Sequence, residues 1–122
     1  VTTELRKRVY TTPPGVKLVP VASIPDPGAR NVVLQIGEAF FHGFLVHKNG
    51  EVRGWVDRCP HHGLPLAQKL DQYLTPDASM IACSWHGALF RVEDGHCLGG
   101  PCVGGRLTPW PVEVLDGIVT TA

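Results

Sequence analysis

Apolar residues along this chain come in short runs broken by glycine and proline, a pattern that predicts strands joined by tight turns. Residues 17–22 alternate between apolar and polar side chains and stop at Ser23-Ile24-Pro25-Asp26-Pro27-Gly28, a turn sequence. A β-branched strand is expected over 31–36, then an apolar and aromatic one over 39–47. Asn49-Gly50 separates that run from 52–57, and both residues tolerate the positive φ that a type I′ hairpin turn requires. His42 and His47 are an odd number of positions apart, so they should face opposite sides of the sheet rather than form a second metal site. Residues 66–74 are the one stretch that fits a short helix, stopped by Thr75-Pro76-Asp77. Short strands are expected over 80–82 and 88–92, with a turn at Glu93-Asp94-Gly95. The segment 96–105 is too rich in glycine for regular structure, and 112–115 and 118–120 make a final hairpin about Asp116-Gly117.

Composition narrows the class. Fourteen glycines and eleven prolines in 122 residues favour an all-β fold, in one domain with a modest core. Eleven basic residues balance eleven acidic ones, which argues against binding to nucleic acid or to a membrane surface, since phosphate contacts need a basic excess. Arg6-Lys7-Arg8 is followed by no apolar stretch, so it reads as a solvated terminus and no targeting segment is expected. The expected location is cytoplasmic.

The chemistry lies in two short boxes, Cys59-Pro60-His61-His62-Gly63 and Cys83-Ser84-Trp85-His86-Gly87. Each supplies one cysteine and one histidine at metal-ligand spacing and ends on a glycine suited to a tight turn; twenty-one residues separate His61 from Cys83. A Cys2His2 zinc site would draw on the same side chains, but zinc fingers usually group cysteines in one half and histidines in the other.

With its mixed halves, the pattern resembles the Rieske [2Fe-2S] family, most closely the small Rieske-type ferredoxins of bacterial dioxygenase systems. The resemblance implies antiparallel sheets in a basal β-sandwich, 1–57 and 104–122, with a small cluster-binding subdomain, 58–103, inserted into it. It implies one [2Fe-2S] cluster per chain, with Cys59 and Cys83 on one iron and His61 and His86 on the other. Gly63, Trp85, Gly87, Phe90 and Pro101 would surround the cluster, Pro101 on a loop folded across it. The segment 64–79 is longer than in the shorter members. Cys97 and Cys102 could be ligands, a local disulfide or buried small apolar residues, the last being favoured in a reducing cytoplasm. His62 belongs at the rim of the site.

Departures from the family refine the expectation. Rieske subunits of cytochrome bc complexes carry an extra cysteine in each ligand loop, where this chain has Leu64 and Trp85, and a serine and a tyrosine donating to the sulfurs, where it has Ala88 and Phe90. Without those donors the reduced, more negative state is less stabilised, and the potential should fall toward the low end of the Rieske range, to a value on the order of −150 mV. The implied function is a one-electron carrier, an electron-transfer component rather than a stand-alone enzyme. It would pass electrons from a reductase to an oxygenase or similar acceptor in transient encounters and bind no organic substrate. A small subunit of a larger oxidoreductase, such as a nitrite-reductase-like enzyme, and a structural zinc or redox-sensing interaction module are the alternatives.

Overall fold

Asn49 and Gly50 adopt φ of 55° and 77°, the two left-handed positions of the expected turn. They join β4 (Ala39–Lys48) to β5 (Glu51–Val56) in register from Lys48↔Glu51 to Gly43↔Val56. This hairpin is the spine of the computed structural model, which describes residues 7–58, 66, 71–83, 87–100 and 105–122. On its other flank β4 pairs antiparallel along its length with β3 (Gly28–Ile36), and β5 pairs with β9 (Pro109–Trp110). β1 (Lys7–Val9) adds a short parallel pairing with Ala39–Phe41 of β4. Lys7 and Arg8 of the basic run therefore lie in a sheet, a nonlocal pairing that no local pattern announces.

β2 (Lys17–Pro20), β10 (Val112–Leu115) and β11 (Ile118–Thr121) form a second, antiparallel sheet. β6 (Met80–Ala82), β7 (Leu89–Arg91) and β8 (Cys97–Gly99) form a third. β8 corrects the expectation of irregular chain over 96–105: Cys97 and Gly99 find partners in Phe90 and Leu89 despite the local glycine content. The helix expected over 66–74 is not seen in its described residues. Asp71 has φ 65°, Leu74 bridges to Ile81 and Tyr73 O accepts Ala82 N–H, so Tyr73 and Leu74 run beside β6. Among the described residues the only helical element is a single 3-10 turn, Val21–Ser23, where the strand expected over 17–22 ends early.

The β4–β5 hairpin separates two apolar cores. Phe41 and Leu45 of β4 and Val56 of β5 pack with Ile24, Val32, Trp110 and Val119 on one side. Phe44, Val46 and Trp55 pack on the other with Leu66, Tyr73, Ile81, Cys83, Phe90 and Val92. Alternation along a strand places successive side chains in different cores, so both faces of the hairpin are apolar and both are buried. Trp110 lies so close to β4 and β5 that a Cβ on Gly43 would come within 2.7 Å of its ring and one on Gly54 within 2.5 Å of its carbonyl oxygen.

Candidate metal centre

Cys83 and Gly87 of the second box sit at the end of the β6–β7 hairpin. Met80, Ile81 and Ala82 pair with Arg91, Phe90 and Leu89, and the ladder continues as Cys83 N donates to Ala88 O at 2.8 Å. Gly87 N donates back to Cys83 O at 3.0 Å, closing the turn, with Gly87 at φ 69°. Cys83 is 1% exposed, and Ala88 and Phe90 have no exposed surface. The cysteine thus stands where a rigid, dry hairpin ends, which suits a ligand that must be held in place beforehand.

β8 brings a third segment to the same place. Gly100, φ 89°, lies against Ala88, where a Cβ would come within 2.8 Å of the alanine Cα. A side chain at this position would push the chain off the base of the second box just before Pro101. Pro101 itself lies outside the described residues, as do Cys59, His61, Gly63, Trp85 and His86. Of the expected site residues, Cys83, Gly87 and Phe90 are therefore the ones the structure brings together.

The approach to the first box is built around Asp57, which the sequence reading did not single out. Asp57 N donates to His42 O at 2.9 Å, and the carboxylate is buried, 5% exposed. Its Oδ1 accepts Leu66 N–H at 2.9 Å; its Oδ2 accepts the Tyr73 hydroxyl at 2.8 Å and Asn31 Nδ2 at 3.3 Å. Burial pushes the Asp57 carboxyl above the ordinary carboxylate range, opposed by the Leu66 and Tyr73 hydrogen bonds. Burial, reinforced by the Asp57 charge, likewise pushes the Tyr73 hydroxyl up, so it serves as a neutral donor. His42 is held below its usual value by burial and then by Arg8, with Asp57 acting in the opposite direction. The available signal for this network was a lone aspartate ending an apolar strand immediately before a ligand box.

His47 is engaged elsewhere: its Nδ1 lies 2.9 Å from Ile24 O and its Nε2 3.6 Å from Asp26. These contacts are separate from the Asp57 network beside His42. Cys97 is buried, as expected, but it is disulfide-bonded rather than a plain apolar thiol.

The sequence matches the Rieske [2Fe-2S] domain over residues 16–114. The chain belongs to the Rieske [2Fe-2S] family. It is 30% identical over 95 residues, 75% of each chain, to the ferredoxin component of the p-cumate 2,3-dioxygenase system of Pseudomonas putida. Among solved structures it resembles a ferredoxin of Sphingomonas yanoikuyae B1, with 25% identity and TM-score 0.66 over 88% of this chain and 96% of that one. A similar fold, with 24% identity and TM-score 0.69 over 88% of this chain and all of the other, occurs in the complex of reduced oxygenase and oxidized ferredoxin in carbazole 1,9a-dioxygenase. The Rieske fold, nearly all β, is thus shared with these proteins, and the cofactor is a Rieske-type [2Fe-2S] cluster. The described residues fit it: a buried cysteine supplies the soft sulfur donor that iron–sulfur chemistry needs, and Gly100 leaves room for chain to close over the second box. None of the described helices is long and apolar enough to cross a membrane.

Proposed function

We propose that this Rieske protein is a one-electron carrier that takes electrons from a reductase and delivers them to an oxygenase. The similarity over three quarters of the chain to a dioxygenase-system ferredoxin component carries this reading. Cys59 and Cys83 would hold one iron and His61 and His86 the other, in a subdomain spanning 58–103 within a base of 1–57 and 104–122. When bound, the cluster supplies reversible uptake of a single electron.

The chain's own residues set the conditions for that exchange. Ala88 and Phe90, both fully buried, offer neither a hydroxyl donor nor a path for water at the base of the second box, which supports a potential at the low end of the Rieske range. Encounters with reductase and oxygenase would be brief, as suits a carrier that must release each partner after one electron. The proposal includes a cytoplasmic location. The deciding experiment is an EPR spectrum of the dithionite-reduced protein with iron and acid-labile sulfide analysis, followed by stopped-flow oxidation of the reduced protein by a ring-hydroxylating oxygenase. A mixed histidine–cysteine signal and rapid oxidation are expected. Zinc without labile sulfide, or no electron transfer, would overturn the reading.

A further inference from the structure

One carboxylate ties together the approaches to both ligand boxes. The bond from Leu66 N–H to Asp57 Oδ1, 2.9 Å, spans nine residues and closes a ring of chain that contains Cys59, His61 and Gly63. The other oxygen of Asp57 accepts the Tyr73 hydroxyl at 2.8 Å, and Tyr73 O accepts Ala82 N–H at 2.8 Å, one residue before Cys83. The first box is therefore closed at its base by Asp57 and connected through one tyrosine to the strand that carries the second.

This tyrosine is itself held from the basal sheet. Asn31 and Phe44 are cross-strand partners in β3 and β4. Asn31 Nδ2 donates to the Tyr73 hydroxyl at 2.7 Å, and the Phe44 ring stacks on the Tyr73 ring at 4.1 Å and 5°. Asn31 N also donates to Asp71 at 2.6 Å, pinning the segment two residues ahead of Tyr73. Three donors converge on the Asp57 carboxylate, from Leu66, Tyr73 and Asn31. Only an acceptor at both oxygens satisfies them all, because an amide would turn its hydrogens either toward Leu66 N–H or toward Asn31 Nδ2. As a stabilising device alone, a buried charge is a poor choice, since apolar residues of similar volume often do as well or better. Its value lies in geometric specificity.

We propose that Asp57 and Tyr73 are positioning residues for the cluster: Asp57 clasps the base of the first ligand loop, and Tyr73 sets that loop in register with the second. This inference rests on the reading of Cys59, His61, Cys83 and His86 as ligands. Neither residue touches iron or sulfur in this role; both act by restricting where the ligands stand.

The test compares the unaltered protein with Tyr73→Phe, which removes one oxygen and keeps the ring stack, and with Asp57→Ala. Three quantities are read: amide exchange at Leu66, EPR line shape with the lifetime of the cluster absorbance in air, and the urea midpoint. Asp57→Ala is expected to speed Leu66 exchange about tenfold or more, the loss of one bond to a charged acceptor. Tyr73→Phe is expected to load with iron and sulfide, to show a broadened EPR line and to lose its cluster several-fold faster, with only a small change in urea midpoint. Should Asp57→Ala fail to fold, Tyr73→Phe decides alone. An unchanged EPR line and lifetime in Tyr73→Phe would overturn the proposal, as would unchanged Leu66 exchange in a folded Asp57→Ala. If the unaltered protein binds no cluster, the ligand reading fails instead, while Leu66 exchange still reports whether the clasp exists.

Discussion

Ala88 and Phe90 are neighbours of Cys83 on the β6–β7 hairpin and completely enclosed. Introducing hydroxyls there, as Ala88→Ser with Phe90→Tyr, should stabilise the reduced cluster through donation toward sulfur. A differential stabilisation of about 1.4 kcal/mol would raise the midpoint potential by about 60 mV, and redox titration followed by EPR reads the shift directly. At a second residue the relevant variable is pH. Asp77 accepts from the Thr75 hydroxyl at 2.7 Å and from Ser79 Oγ at 2.8 Å, which hold its carboxyl at about 2, below the ordinary 3.8. The folded state therefore releases this proton more readily than the unfolded state. The stabilisation is complete above about pH 4 and is lost as pH falls through about 2. Asp77→Asn should flatten the acid side of the stability profile over that window, followed by tryptophan fluorescence during acid titration.

At the scale of elements, local chemistry was legible and nonlocal pairing was not. Asn49-Gly50 and Asp116-Gly117 announced their hairpins because positive φ at successive positions is a local requirement, and both turns have it. β8 was hidden because its pairing to β7 depends on residues that turn back after Gly95, whereas its own sequence reads as irregular. Over 71–74 the expected helix lost to contacts of the same kind: Leu74 pairs with Ile81, and the Asp71 carboxylate accepts Asn31 N–H of a distant strand. At the site, Cys83 and Gly87 were readable from spacing. Asp57 and Tyr73 were not, because their importance arises only when 57, 66 and 73 meet. Two glycines separate backbone strain from steric overlap. Gly87→Ala meets no atom of the described residues within 4 Å and should cost about 1 kcal/mol in urea unfolding, for positive φ. Gly100→Ala adds a 2.8 Å overlap with Ala88 and should cost more and shorten the cluster lifetime, measured by absorbance decay in air.

For the whole molecule, the β4–β5 hairpin is the common wall of two cores. Trp110 anchors the far one, fully buried against Phe41 with ring centroids 4.6 Å apart and hydrogen-bonded through Nε1 to Thr12 at 2.9 Å. Trp110→Ala should destabilise the fold by about 3–5 kcal/mol in urea unfolding. Because the wall is shared, the loss should also be felt at Phe44 and Val46 on its other face, and cluster lifetime should shorten although the substitution lies in the opposite core. The same arrangement limits what a protein engineer can transplant. The segments that carry the two ligand boxes do not enclose a core of their own among the described residues, since Phe44, Val46 and Trp55 complete it from the basal strands. Grafted as loops onto an unrelated scaffold they would arrive without their floor, so the smallest portable version of this centre includes the β3–β4–β5 meander beneath it.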